Sequence, residues 1–173
     1  MPLTVAEFSF AAISYPIIFA GAERLPLAVA MRQELWLYPA VEIVHILGFV
    51  ILVGSVLVFD LRLLGLTRAL PVRALARHAL PWSFGALLLI VPSGFLMFIA
   101  HAGDLIANPA FVIKMSLLFC AGLNAALFHA GVFRGAAVWD SNVAVPALAK
   151  LHAAVSLLIW IGIIACGRLL AYV

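Results

Sequence analysis

Charged residues are scarce in this chain of 173 residues, since lysine, arginine, aspartate and glutamate together make up only 10% of it. Soluble domains carry about 25% charged residues. Hydrophobic residues account for 67% of the chain, and the mean hydropathy is +1.25. A water-soluble fold of this length has too little interior to bury so much apolar surface. The composition therefore excludes a soluble globular domain and predicts an integral membrane protein.

Cysteine is also scarce, and the usual motifs for a metal or a covalently attached haem are missing. The two cysteines, Cys120 and Cys166, lie inside apolar segments and not in a CxxC spacing, so we expect buried thiols. The sequence contains no CxxCH, no HExxH and no carboxylate-rich metal motif. The basic residues lie mainly between apolar segments, which indicates membrane orientation and argues against nucleic-acid binding.

Long apolar runs are what the sequence has in place of charge. A transmembrane helix needs about 20 apolar residues, and four runs meet this length, at about 37–59, 79–101, 110–132 and 147–168. Trp36 and Tyr38 lie where interfacial aromatic residues are expected. The predicted fold class is all-α: an integral membrane bundle of four core transmembrane helices within residues 36–173. Residues 1–35 form a separate N-terminal region that supplies an interfacial or fifth helix.

The N-terminal region allows several interpretations. Residues 8–22 are uncharged but short for a span and are interrupted by Pro16. They fit a full span, an interfacial or partial helix, or a signal segment cleaved after Ala20-Gly21-Ala22. Residues 23–35 mix charged and apolar side chains and predict a short amphipathic surface helix with Pro26 in its first turn.

Basic residues are distributed unequally between the two sides of the predicted bundle. The loop between the first two spans, about residues 60–78, holds Arg62, Arg68, Arg73 and Arg77. Because positive charge accumulates in cytoplasmic loops, we expect this loop in the cytoplasm and the C-terminus outside.

Polar side chains inside the spans share helix faces and depths. In the first span one stripe recurs at spacings of three or four and is expected to face the bundle: Glu42, His45, Gly48, Leu52, Ser55, Phe59 and Arg62. Asp60 is the polar side chain of the span that lies outside this stripe. Ser156 lies on a matching stripe of the last span. Counting a rise of about 1.5 Å per residue from the outer helix ends predicts levels of equal depth. The outer level contains Glu42, Lys114 and Arg168, the middle level His45, Ser93, Asn124 and Trp160, and the inner level His78, His129 and His152.

The charged residues near the two ends of the first span allow a structural interpretation. Glu42 is either neutralised by Lys114 or Arg168 or forms a proton or ion site. Asp60 and Arg62 are expected to fix the cytoplasmic end of the span through snorkelling, capping and ion pairing.

The histidines are candidates for binding a cofactor. His45 is too deep to be solvated, so it either hydrogen-bonds Asn124 or Ser93 or ligates a metal or a haem iron. His129 and His152 lie at a shared depth and suit bis-histidine ligation of haem b. The candidate ligands are therefore His45, His129 and His152.

Five strings in the sequence carry a resemblance to a known family. In order, WLYPAVEIVHILG, VFDLRLLG, NPAF-x-x-K, NAALFH and GRLLAYV resemble a family of small, uncharacterised proteins of the bacterial inner membrane, over about residues 28–173. The resemblance implies a multi-pass inner-membrane protein and no particular activity. A more distant likeness is to copper-resistance D-type and cytochrome b-type four-helix membrane proteins, in which helix-borne histidines bind haem or copper. It would place ligands at His45, His129 and His152.

Three classes of function are consistent with these patterns, and the sequence leaves open whether the protein is an enzyme. The leading hypothesis is a b-haem-binding redox protein that exchanges electrons with a quinone or another redox partner, with the outer charges tuning its entrance. The second is a transporter or channel subunit in which His45, Asn124 and Ser93 line a polar path and a kink at Pro92 acts as a gate. The third is a structural or assembly protein. In all three classes the protein is expected to contact lipid, and the sequence leaves open whether it forms a homo-oligomer.

Overall fold

The structure is a computed structural model that describes residues 19–172. Most of the uncertain segment 1–22 therefore lies outside the described residues, of which 19–23 are helical. The elements that follow are α1 (Pro26–Gln33), α2 (Leu37–Leu64), α3 (Val72–Ala100), α4 (Ala102–Ala107), α5 (Pro109–Ala130), a 3-10 turn (Val132–Gly135) and α6 (Ala147–Leu169). No strand occurs between residues 19 and 172, and the predicted all-α class is confirmed.

Four helices are long and apolar enough to cross a membrane: α2, α3, α6 and the stretch Pro109–Gly135 that contains α5. Helices α2 and α3 extend further towards each other along the chain than predicted, because buried contacts continue beyond the apolar runs. Arg62 and Leu63 are buried near the end of α2, as are Val72 and Ala76 at the start of α3. Helix α2 ends at Gly65, whose left-handed φ of 111° suits glycine.

Helix α1 follows the predicted amphipathic segment. It begins with Pro26 in its first turn and buries Ala28 and Met31. The Arg32 guanidinium donates hydrogen bonds to the carbonyls of Ala100 (2.8 Å) and Glu23 (2.6 Å). The bond to Ala100 attaches α1 to the end of α3.

The long helices form an open row. Helix α2 packs against α3 on one side and α6 on the other, and α6 packs against α5. Within the described residues, no Cα atom of α3 lies within 8 Å of one in α5 or α6. The order across the row is therefore α3, α2, α6, α5, and a gap separates α3 from α5, the two helices at the edges of the row (the outer helices).

Glycine brings α2 and α3 into close contact. A Cβ atom at Gly48 would lie 2.8 Å from Ile90 Cγ1 and 3.1 Å from Leu89 Cβ. Helix α3 continues through Pro92, and the neighbouring carbonyls of Leu89 and Ile90 accept side-chain hydrogen bonds. Small residues at a helix contact are a common means of packing helices in membranes.

The end of the row at the α2–α3 loop, here called the inner end, is closed by the segment between α5 and α6. Its residues Ala136, Trp139 and Val145 are buried against the ends of the long helices in one apolar cluster. The Arg62 guanidinium donates to the carbonyls of Leu70 (2.6 Å), Arg68 (3.1 Å) and Asp140 (3.1 Å). Arg62 therefore holds the two inner loops together.

Candidate functional site

A cavity of about 390 Å³ lies within the inner part of the helix row. Its wall is mainly apolar, and α2, α3, α5 and α6 all contribute to it. The two outer helices face it with small residues, namely Ala76, Ala79 and Ser83 from α3 and Ala121, Gly122 and Ala125 from α5. Small side chains normally allow helices to approach closely. Because α3 and α5 stay apart, the same side chains leave a volume between them.

The position of the cavity determines how it can be reached. The apolar cluster around Trp139 covers the inner end, and the cavity shares Phe59, Leu63, Ala76, Phe128 and Ala153 with that cluster. The gap between α3 and α5 borders the cavity from the side. Since these helices cross the membrane, the gap faces lipid. The geometry therefore favours entry of a molecule from the bilayer.

Asp60 on α2 is the charged residue that borders the cavity. Its side chain is 5% exposed, and the Ser156 hydroxyl on α6 donates a hydrogen bond to its carboxylate. Its Oδ2 atom has no hydrogen-bond partner, and no ion pair involves Asp60 within residues 19–172. Residues two apart lie about 200° apart around a helix. Arg62 therefore points into the loops while Asp60 points into the cavity, in contrast to the predicted charge pair at the helix end.

His152 and Asn124 form a reciprocal pair at the cavity wall. The Asn124 amide nitrogen donates to the His152 carbonyl (3.1 Å), so the amide oxygen faces the imidazole. His152 Nδ1 lies 2.7 Å from that oxygen. An amide oxygen can only accept, so Nδ1 carries the hydrogen and Nε2 of the neutral ring is an acceptor. Asn124 thus pairs with the inner histidine, and not with His45 as one alternative expected.

His129 borders the same cavity in a mainly aromatic environment. Its Nδ1 donates to the Ala125 carbonyl at 2.9 Å, and its buried Nε2 has no partner among the described residues. The imidazole stacks on Phe59 at a centroid distance of 6.5 Å and contacts Phe128 at 5.2 Å. Phe128 also contacts His152 at 5.8 Å. The structure therefore brings His129 and His152 to one cavity, as their equal predicted depth required.

His45 lies in a separate group nearer the other end of the helices. Its Nδ1 is 3.0 Å from Ser93 Oγ and 3.2 Å from the Ile90 carbonyl. The Ser93 hydroxyl donates to Leu89, so its oxygen accepts from His45. His45 is not among the residues that line the cavity. Of the two hydrogen-bond partners predicted for His45, Ser93 and Asn124, Ser93 is the one bonded.

The outer charges do not form the expected ion pair. Glu42 is exposed on α2, and the one ion pair in the described part of the chain joins His101 to Asp104 at 4.0 Å. The ammonium group of Lys114 lies 5.4 Å from the Phe49 ring centroid. Arg168 lies over the Tyr172 ring at 4.7 Å and donates to the Tyr172 hydroxyl. Glu42 therefore projects away from the bundle, and the two cations interact with aromatic rings.

The remaining predicted site residues occupy different places. Trp160 lines the cavity and contacts Phe49, at a centroid distance of 6.1 Å. His78 is exposed and its Nδ1 donates to the carbonyl of Ala74. Cys166 is buried as expected, whereas Cys120 is exposed on α5. No group of three or more histidine, cysteine or acidic side chains that could hold a metal ion occurs in the described residues.

Comparison with known proteins assigns the chain to a family. A family model described as a family of unknown function, DUF6644, matches residues 37–173. The chain belongs to DUF6644. The predicted resemblance to an uncharacterised family is thereby confirmed, and the match gives no link to copper-resistance D-type or cytochrome b-type proteins. No curated protein and no solved structure matches the chain. The DUF6644 match begins with α2, so it includes every residue that lines the cavity and excludes α1.

Proposed function

We propose that this membrane protein binds a small, membrane-dissolved molecule in the cavity between α3 and α5. The observation that carries the proposal is the buried carboxylate of Asp60, which has no ion pair in the described part of the chain and lies on the wall of a mainly apolar cavity beside the gap. Binding sites for small molecules are typically apolar volumes with a few convergent polar groups. Asp60, Ser156 and the His152–Asn124 pair are such groups.

The size of the cavity supports an occupant. Protein interiors are close-packed, and an unfilled apolar cavity lowers stability because packing contacts are lost. If a volume of about 390 Å³ were empty, the side chains that line it would lose these packing contacts. The cavity is therefore expected to be filled in the membrane.

Native mass spectrometry of the protein released directly from its membrane tests this proposal. The wild type is expected to carry a non-covalent adduct of small mass. Ala121→Phe places an aromatic ring where α5 lines the cavity, and this variant should lose the adduct. Ala126→Phe makes the same change at an exposed position of α5 outside the cavity lining and should retain it. A wild type without an adduct, or an adduct that survives Ala121→Phe, would contradict the proposal.

A second proposed occupant is haem b, bound by His129 and His152, in a protein that transfers electrons. Both histidines border the cavity and both use Nδ1 as a donor, which leaves Nε2 as a lone-pair ligand. A ligating histidine usually donates its other ring hydrogen in this way. When bound, the haem would supply one-electron redox chemistry with a quinone in the bilayer as partner. We rank it second because 390 Å³ is near the lower end of the roughly 300–1,000 Å³ found for drug-sized ligands, and haem is a large one.

An absorption spectrum distinguishes haem from other occupants. Protein purified from cells supplied with haem should show a Soret band that sharpens on reduction and is lost in His129→Ala or His152→Ala. His78→Ala, which changes an exposed histidine outside the cavity, is the control. His45→Ala should also leave the band unchanged, because His45 lies in the separate group. A colourless wild type would eliminate the haem proposal and leave the cavity proposal standing.

The cellular setting is part of the proposal. We place the protein in the bacterial inner membrane with the α2–α3 loop in the cytoplasm, because this loop and the adjoining helix ends, residues 60–78, contain four arginines. Transport along a path of His45, Ser93 and Asn124 is less favoured, because Asn124 pairs with His152 and only Ser93 contacts His45. A homo-oligomer remains a proposal, and any partner copy must leave the gap between α3 and α5 open to lipid.

A further inference from the structure

We infer that the occupant of the cavity is an organic cation with an apolar body, and that its positive charge pairs with Asp60. The inference rests on the proposed function, because it names the chemical class of the molecule bound at the same site. It begins from the environment of Asp60, whose carboxylate Oδ2 is buried and without a hydrogen-bond partner in the described chain.

Within residues 19–172, no basic side chain forms an ion pair with Asp60. Arg62 is the nearest cation along α2, and its guanidinium is bonded to the carbonyls of the inner loops. Lys114 lies against the Phe49 ring and Arg168 against the Tyr172 ring, and none of these residues lines the cavity. A buried carboxylate that stays ionised needs a nearby opposite charge or hydrogen-bond donors to compensate the loss of water. A cationic ligand would supply the missing compensation.

The other polar groups at the cavity also accept hydrogen bonds. Nε2 of His152 is an acceptor because Nδ1 donates to Asn124, and the Ser156 hydroxyl hydrogen is directed to Asp60. A protonated amine carries hydrogens that it can donate to both the Asp60 carboxylate and Nε2 of His152. A hydrocarbon chain of a lipid carries none, so it would fill the volume but leave Asp60 unsatisfied.

Aromatic side chains complete the expected site. Phe59, Phe84, Phe128 and Trp160 line the cavity. The faces of aromatic rings attract cations, most strongly where water is excluded. The combination of one carboxylate, aromatic walls and access from the bilayer therefore favours a lipophilic ammonium compound over an anion or a neutral hydrocarbon.

Three nearly isosteric probes test the inference on protein in nanodiscs: 2-phenylethylammonium, 2-phenylethanol and propylbenzene. They differ only in a terminal charged, hydroxyl or methyl group. Binding is measured with radiolabelled probes, and the signal of empty nanodiscs is subtracted to remove partitioning into lipid. The wild type is expected to bind the ammonium probe about tenfold or more tightly than the other two, as for close charge pairs at other buried sites.

Variants at Asp60 connect the preference to the carboxylate. Asp60→Asn should abolish the preference for the cation and retain binding of propylbenzene, whereas Asp60→Glu should keep the preference. Glu42→Gln removes an exposed carboxylate from the same helix and should change nothing. Retained propylbenzene binding also shows that the Asp60→Asn cavity is folded.

The outcomes separate the two proposals. If the wild type binds all three probes equally, and Ala121→Phe removes them all, the cavity proposal stands and the cation inference is wrong. A preference for 2-phenylethanol over the ammonium probe would also overturn the inference, in favour of a neutral hydroxyl compound. If the wild type binds no probe above empty nanodiscs, the proposed function itself fails.

Discussion

Asp60 occupies a position where a buried carboxylate is expected to lower the stability of the protein if the cavity holds no ligand. Its side chain is 5% exposed and makes one side-chain hydrogen bond, to Ser156, on the wall of an apolar cavity. An unsatisfied buried polar group lowers stability, and a charged group lowers it more. Retention of such a residue is understandable if it contacts a bound molecule.

Asp60→Asn should therefore raise the stability of the ligand-free protein. The amide keeps the size of the side chain and removes the unpaired charge, and we expect a gain of about 1–3 kcal/mol in the free energy of unfolding. Thermal unfolding in nanodiscs measures this gain. Glu42→Gln, at an exposed site, serves as the control. A lower unfolding temperature for Asp60→Asn would show that the carboxylate stabilises the fold.

Asn124 is expected to have the opposite effect. Asn124→Leu removes both hydrogen bonds to His152, at 2.7 and 3.1 Å, and should lower the free energy of unfolding by about 1 kcal/mol. Ser116→Ala is the matched control on α5, because this exposed hydroxyl bonds only to Val112 of its own helix. Equal stability of both variants would contradict the importance of the pair.

The burial of a residue could be predicted from the sequence where the spacing of residues along its own helix was enough to determine it. The stripe of the first span correctly identified Gly48, Leu52 and Arg62 as buried. Asp60 lies outside this stripe, and it is covered because α6 packs against α2 and places Ser156 beside its carboxylate. Those contacts join residues far apart in the chain, so helical spacing could not reveal them. The feature of the sequence that could have indicated a cavity beside Asp60 was the group of small residues on α3, namely Ala76, Ala79 and Ser83.

At the level of elements, the α2–α3 contact depends on the absence of a side chain at Gly48. Gly48→Ala would place Cβ 2.8 Å from Ile90 Cγ1 and 3.2 Å from the Ala86 carbonyl oxygen, so the helices must move apart. Overpacking of this kind should lower the free energy of unfolding by about 1–3 kcal/mol.

Gly54→Ala provides a control on the same helix. A Cβ atom there meets nothing within 4 Å, and alanine should be neutral or stabilising by about 0.5–1 kcal/mol. Thermal unfolding of both variants in the same lipid measures the difference. If Gly54→Ala is as destabilising as Gly48→Ala, the effect reflects glycine in general and not the helix contact.

The existence of the four spans could be predicted from the sequence, but their ends in part could not. Apolar length alone located α2, α3, α5 and α6, because a span must match the thickness of the bilayer. The extension of α2 and α3 beyond the predicted limits depends on Arg62, whose carbonyl partners lie in both inner loops. A lone arginine after an apolar run reads as the end of a span, and only the folded loops show that it is buried.

For the molecule as a whole, the central feature is a helix row that does not close. Stripes on individual helices predicted a bundle but did not predict which helices would touch. The separation of α3 from α5 creates both the cavity and its access from lipid. Helix α5 contributes little to the interior, because only 6% of the residues in its most apolar stretch are buried. Most of its surface therefore faces lipid or the cavity. The DUF6644 match contains this arrangement completely.

Quenching of Trp160 by brominated lipid tests most directly whether the cavity is open to the bilayer. Trp160 lines the cavity, and replacement of Trp36, Trp82 and Trp139 by phenylalanine leaves it as the only tryptophan. In nanodiscs of lipid brominated in the acyl chains, we expect strong quenching of Trp160 that Ala121→Phe reduces and Ala126→Phe does not. Addition of 2-phenylethylammonium should reduce the quenching as well. Quenching that is unchanged by Ala121→Phe would show that lipid reaches Trp160 by another route and would contradict a lateral entrance between α3 and α5.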